Sequence, residues 1–219
     1  AWPEGWAVTV FASDEFSGTA GQNLEVYNPA WSKRAGFTAT LLVNATGDVS
    51  RYLYAGYVHS AAPPTPDYVV SVVGRMHNAS AYGRTGVLAR AAGSSQTYYR
   101  GEWRAGSSTQ TALSTGTAHI VRAEAGDVVD VATVAYPLNS AADQLISLAI
   151  VGGMLTLSID GIEVLTYLDP SPIPGPGKAG VYSRNFYNSL DYRLDDFQAA
   201  VLDGGSPPRR RSPLLLSPW

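Results

Sequence analysis

Carboxylates are the side chains of this chain best suited to breaking bonds, and one cluster stands out: Glu124-Ala125-Gly126-Asp127-Val128-Val129-Asp130. Cleaving a glycosidic bond takes two carboxyl groups flanking it, about 5 Å apart in retaining enzymes. Gly126 predicts a turn, and on the strand after it Asp127 and Asp130 point to opposite faces, because side chains alternate along a strand. That pair cannot converge on one bond. His59, His77 and His119 lie far apart, with no i, i+4 pairing and no adjacent nucleophile motif. No G-x-S-x-G elbow is present. Gly175-Pro176-Gly177-Lys178-Ala179 lacks the Ser or Thr that follows the lysine of a phosphate-binding loop, so it reads as a turn. Without cysteine there is neither a disulfide nor a thiolate metal site. The expectation is a protein without catalytic residues.

Aromatic and arginine side chains offer a different chemistry, that of holding. Gln96-Thr97-Tyr98-Tyr99-Arg100-Gly101-Glu102-Trp103-Arg104 alternates as a strand, which places Tyr98, Arg100 and Glu102 on one face and Tyr99, Gly101 and Trp103 on the other. On the preceding strand Gly86, Leu88 and Arg90 lie opposite Val87 and Ala89, which sets Arg90 beside the polar face of the Tyr98 strand. A second aromatic stretch, Tyr52-Leu53-Tyr54-Ala55-Gly56-Tyr57-Val58-His59, suits either a strand face or a protein interface.

The elements that must position these residues are strands. Residues 144–151, 154–159 and 162–168 are rich in Leu, Ile and Val, and they are separated by Gly152-Gly153 and Asp160-Gly161. Both dipeptides tolerate the positive φ of two-residue hairpin turns, so the three segments predict an antiparallel meander. A Pro- and Gly-rich loop follows, then strands at 179–183 and 192–201. The chain has 219 residues with 22 Gly and 14 Pro, and almost no apolar pattern at helical spacing, which is the profile of one all-β domain with many short strands.

In order along the chain, these motifs resemble the concanavalin A-like lectin/glucanase superfamily, in particular its laminin-G-like and bacterial or phage members. Asp14-Glu15-Phe16-Ser17-Gly18 matches the opening strand of such domains, and Asp160-Gly161 their DG hairpin turn. Gly177-Lys178-Ala179-Gly180-Val181-Tyr182 and Asp195-Asp196-Phe197-Gln198-Ala199 match their last two strands. The segment 68–76, with Gly86-Val87-Leu88-Ala89-Arg90 and Tyr98-Tyr99, stands for the central strands, so the resemblance covers residues 8–202. It implies an all-β, concanavalin A-like jelly-roll sandwich of two antiparallel sheets. In such domains the concave sheet or its rim loops hold sugar, with tyrosine and tryptophan rings stacked on pyranose faces and arginines and acids bonding the hydroxyls. Arg90, Tyr98, Arg100 and Trp103 are the glycan-binding residues this implies. The glucanases of the superfamily carry an E-x-D-x-E strand, and no such pattern occurs here. The acids of Asp191-Tyr192-Arg193-Leu194-Asp195-Asp196 fall on the closing strand, as exposed or turn-binding carboxylates. Some members bind calcium through rim carboxylates, and Asp14 with Asp196 is the pair that would serve here.

Charge divides the chain. Residues 204–219 contain three arginines and no acid, whereas residues 1–203 carry 12 basic and 18 acidic side chains. An acidic body repels a phosphate backbone, so nucleic acid is not an expected partner. No apolar run is long enough to span a membrane. The sequence starts without methionine, a basic segment or an apolar core, which predicts a processed or trimmed start and leaves a cleaved secretion signal open. Residues 204–219 hinge on Gly204-Gly205, and their prolines prevent independent folding. They read as either a disordered end or a docking arm, in which Arg209, Arg210 and Arg211 meet carboxylates while Leu214, Leu215, Leu216 and Trp219 enter an apolar groove. The sandwich is expected to comprise residues 1–203. Together these features predict a non-enzymatic recognition or structural module on a phage virion surface, in a capsid-decorating or tail role, anchored by the arm to neighbouring assembly proteins. The alternatives are a carbohydrate-binding module of a secreted bacterial protein and a divergent glycoside hydrolase or lyase.

Overall fold

The computed structural model describes residues 8–34, 37, 41–43, 49–50, 53–76, 83–92, 96–106, 115–138, 142–185 and 192–203. Alternating apolar and β-branched residues make most of the described residues extended, because such side chains pack on a pleated surface. The strands in chain order are β1 (Val8–Asp14), β2 (Trp31–Lys33), β3 (Leu42–Val43), β4 (Val49–Ser50), β5 (Leu53–His59), β6 (Tyr68–Met76), β7 (Arg84–Ala92), β8 (Thr97–Arg104), β9 (Thr117–Glu124), β10 (Asp127–Ala135), β11 (Asp143–Val151), β12 (Met154–Ile159), β13 (Ile162–Leu168), β14 (Lys178–Asn185) and β15 (Tyr192–Leu202). A single turn of helix, α1 (Leu24–Tyr27), lies between β1 and β2.

The strands form two antiparallel sheets. One runs β13-β12-β11-β6-β15-β4-β3, with β1 paired to β15 on the flank that β4 also uses. The other runs β10-β9-β8-β7-β14-β5-β2. Their facing sides enclose the main core, to which the first sheet brings Val70, Val72, Ile146, Leu148, Leu157 and Phe197, and the second Val87, Tyr99, Trp103, Ile120 and Val181. The all-β jelly-roll sandwich expected from the sequence is therefore present.

The predicted meander is β11-β12-β13, joined at the predicted dipeptides. Asp160 and Gly161 have φ of 51° and 75°, the left-handed values that a two-residue hairpin of this type requires. Ala125 and Gly126 turn β9 into β10 in the same way, with φ of 52° and 101°. β10 and β13 are the terminal strands of their sheets, on the same side of the sandwich, and they pack against each other. They are the elements that leave an opening between the layers.

β7 departs from simple alternation. A bulge between Ala89 and Ala92 puts Arg90 at φ 46° and turns its side chain out of the sheet. The closely apposed loop after β13 has Gly177 at φ 55°, where a Cβ would lie 2.4 Å from the Arg90 carbonyl carbon.

Candidate ligand-binding cleft

Alternation along β8 is as expected: Tyr99 and Trp103 face the main core, while Tyr98 faces outward. The outward face is not a surface, however. Phe37 lies over Gly56, where a Cβ would meet its ring at 2.7 Å, and stands 6.0 Å from both Tyr98 and Tyr182. Tyr98, Leu88, Tyr182, Val58 and Ala91 are buried beneath it as a second apolar cluster.

The four residues expected to hold sugar therefore do not present themselves to a ligand. Trp103 is fully buried in the core and donates its Nε1–H to the Tyr136 carbonyl at 2.8 Å. Tyr98 is fully buried under Phe37. Arg100 is buried with its guanidinium 4.2 Å over the Tyr182 ring, and it pairs with Glu102. The bulge swings Arg90 away from this face altogether. Its guanidinium donates to the carbonyls of Pro66, Gly152 and Ile173 and lies 3.5 Å from Asp67, so it staples three loops together. Of the second aromatic stretch, Tyr57 is a core residue, while Tyr52 and the side chain of Tyr54 lie outside the described residues. His77 and residues 204–219 lie outside them as well.

Glu102 is fully buried on the outward face of β8, where Arg84, Arg100 and Arg104 surround it. Burial alone would raise its carboxyl, but the three guanidiniums outweigh burial and hold it below the usual carboxylate range. Arg104 donates to Glu102 on one side and, through two nitrogens, to both oxygens of Asp130 on the other, at 2.7 and 2.5 Å. Burial opposes ionisation of Asp130 too, and Arg104 again prevails, so Asp130 is held below its usual value. His119 approaches Asp130 at 3.4 Å without a hydrogen bond to it; burial and the nearby Arg104 push its pKa down and keep the ring neutral. Glu102 and Asp130 thus face one another across a guanidinium, which fills the space a scissile bond would need.

Asp14 and Asp196 do line one recess, together with Tyr27, Asn28 and Gln198. Asp14 is already saturated. Its Oδ1 accepts from the Phe16 amide and the Tyr27 hydroxyl, and its Oδ2 from Asn28 Nδ2 and Trp31 Nε1. Four donors occupy the lone-pair positions of one carboxylate, so Asp14 fastens β1 to α1 and β2 and does not fit a calcium ion. Among the described residues no three His, Cys, Asp or Glu side chains converge as a metal site.

Among the described residues, a larger open site than that recess is the cleft between β10 and β13, a cavity of 630 Å³ lined by Arg122, Glu124, Asp127, Val129, Val131, Tyr167, Asp169 and Ser171 among others. Its floor is a tight polar network. The Tyr99 hydroxyl donates to Asp169 Oδ2 at 2.5 Å, Arg122 Nε donates to the same oxygen at 3.0 Å, and the Ser171 amide donates to Oδ1 at 2.9 Å. Burial and the bond to Asp169 push the Tyr99 phenol up to about 12, so it stays a donor. Burial would lower Arg122, but Asp169, Tyr99 and Glu124 together hold it above its usual value. Arg122 also donates to the Ser171 carbonyl at 3.0 Å and pairs with Glu124 at 2.7 Å. Above this floor stand the half-buried Tyr167 and Val131 and the exposed Val129 and Asp127. A ring, a branched apolar wall, a fixed guanidinium and accepting carboxylates form the set that grips a polyhydroxylated ring without breaking it.

The sequence reading missed this cleft because Tyr167 sits in a run, Ile162-Glu163-Val164-Leu165-Thr166-Tyr167-Leu168, that looks like any core strand. One signal was available. That run is the last strand of its meander before a Pro-rich loop, which is where a sheet edge, and hence a half-exposed ring, is to be found.

No protein-family profile and no curated protein sequence matches the chain significantly. Solved structures do match it in fold. A module named CBM2 from the evolved Dit of Lactobacillus casei BL23 phage J-1 superposes with a TM-score of 0.65 at 11% identity, over 92% of this chain and 98% of that one. The carbohydrate-binding module CBM66 of Bacillus subtilis gives 0.55 at 13% identity, over 78% and 94%. An endo-β-1,3-glucanase of Pyrococcus furiosus gives 0.59 at 8% identity, over 93% and 98%. The fold is that of the concanavalin A-like lectins and glucanases.

Proposed function

We propose that the protein is a non-catalytic recognition module that holds a glycan in the cleft between β10 and β13, on the surface of a phage virion. The observation that carries the reading is the pairing of the Tyr167 ring with the Arg122–Asp169 network in an open cavity, while the sheet face beside it is closed. The likeness to a module of phage J-1 Dit and to CBM66 supports carbohydrate recognition, and the former supports the virion setting. A second reading, a carbohydrate-binding module of a secreted bacterial protein, is favoured by the likeness to CBM66 alone. Binding without turnover is supported by Arg104, which stands between Glu102 and Asp130. Among the described residues no helix is long and apolar enough to cross a membrane.

The test is a glycan array of bacterial surface polysaccharides probed with the wild-type protein and Tyr167→Ala. The ring should contribute about 1 kcal/mol through stacking, so the variant should bind roughly fivefold more weakly with its fold unchanged. Binding that ignores Tyr167→Ala would remove the cleft from consideration. Sustained release of sugar from any polysaccharide would replace recognition with catalysis.

A further inference from the structure

We propose that residues 204–219 dock into the cleft between β10 and β13 of their own chain, arginines first and leucines beyond. Three observations converge on this occupant.

The first is reach. β15 delivers the chain to the end of the sandwich at which the cleft opens. Val201 pairs with Tyr68, Tyr68 with Ile150, Ile150 with Leu155, and Leu155 with Tyr167, so the last turn of chain before the arm and the ring of the cleft belong to one cross-strand row. Four strand spacings of about 4.8 Å make the crossing about 19 Å. Asp203 is fixed there, accepting from the Thr9 hydroxyl at 2.8 Å. Residues 204–209 include Pro207-Pro208 and span about 20 Å when extended, which brings Arg209 to the cleft mouth.

The second is charge. The cleft is lined by three carboxylates, Glu124, Asp127 and Asp169, against one guanidinium, Arg122. Asp67 lies along the path, on the loop that Arg90 staples. Arg209, Arg210 and Arg211 supply the opposite sign with no acid among their neighbours in the arm.

The third is the order of surfaces. Asp127, Val129 and Val131 line the cleft in that order along β10, the first two exposed, Val129 at 57%, and Val131 half-buried. Val131 is four residues from Asp127, about 13 Å along a strand. Leu214, Leu215 and Leu216 follow Arg211 at three to five residues, about 10 to 16 Å, so the leucines arrive at the valines and Tyr167 when the arginines meet the acids.

The chain has no cysteine, so a pair can be introduced cleanly in the full-length protein. Val129→Cys/Leu215→Cys should form an intramolecular disulfide under mild oxidation, about tenfold more readily than Val26→Cys/Leu215→Cys. Val26 is exposed on α1, which lies against β2 and β3 at the opposite edge of the sandwich. Adding Arg209→Glu/Arg210→Glu/Arg211→Glu to the first pair should abolish the preference. Equal crosslinking at both positions, crosslinking only between two molecules, or a preference that survives charge reversal would each overturn the proposal. The crosslink needs no sugar, so it stands or falls independently of the glycan reading. Its one consequence that rests on that reading is competition: the arginine-to-glutamate variant should bind a cleft glycan more tightly than the wild type.

Discussion

Glu102 has three arginines for neighbours and no route to water, so its carboxylate is the charge that offsets their mutual repulsion. Substituting Glu102→Gln keeps the shape and removes the charge, so the buried Arg100 loses the carboxylate it pairs with while Arg104 keeps only Asp130. Breaking a buried pair in this way costs about 3 kcal/mol or more, and the midpoint of urea unfolding should fall accordingly. An unchanged midpoint would mean that the arginines are neutralised elsewhere. Trp103→Ala should cost a similar amount, about 3 to 5 kcal/mol, through the cavity it leaves. Any loss of ligand binding in that variant therefore reports unfolding, whereas Tyr167→Ala reports the cleft. The sides taken by Tyr98, Tyr99, Arg100 and Trp103 were legible because a strand has a period of two. The burial of Tyr98 was not, because Phe37 reaches it from a segment sixty-one residues earlier, and no local pattern announces a cover. Arg90 was misplaced for another reason: one bulge residue at positive φ breaks the period that the inference used.

Elements were read more successfully than sites, because hairpin turns carry their own chemistry. Gly152-Gly153 and Asp160-Gly161 marked β11, β12 and β13 almost to the residue. What the pattern could not show is that the edge strand β13 lies opposite β10, since that depends on pairings between distant segments. The glycines separate by what surrounds them. Gly161→Ala forces an alanine into a left-handed turn at φ 75°, so it should lower stability by about 1 kcal/mol. Gly177→Ala meets the same backbone penalty and also drives a Cβ into the Arg90 backbone, which must shift. It should cost clearly more, and because the loop it disturbs carries Asp169 and Ser171, it should weaken ligand binding while Gly161→Ala does not. Equal effects of the two on stability, measured by thermal unfolding, would show that the loop moves aside freely.

Across the whole molecule, the sandwich buries ionisable groups of both kinds, and their shifts bound the pH range in which it is stable. His59 and His119 are lowered chiefly by burial, so on acidification the unfolded chain takes up protons near pH 6.5 before the folded one does. The unfolded state then binds more protons, and stability must fall as pH drops below that point, by up to about 1.4 kcal/mol per pH unit for each proton. Glu102 and Asp130 are lowered by their arginines, so their contribution is complete above their ordinary values and is lost as pH falls below about 4.5 and 3.8. On the alkaline side Tyr99 is raised to about 12 and Tyr68 higher still, both chiefly by burial. Between pH 10 and 12 the unfolded phenols lose protons that the folded ones keep, and stability falls again. Urea midpoints recorded from pH 3 to 12 should therefore show a plateau from about pH 7 to 9.5, a shallow acid limb that begins in the histidine range and steepens in the carboxylate range, and an alkaline limb above pH 10. A midpoint that stays level from pH 7 down to 5 would mean that His59 and His119 take up protons in the folded protein, and that the neutral ring assigned to His119 beside Arg104 is wrong.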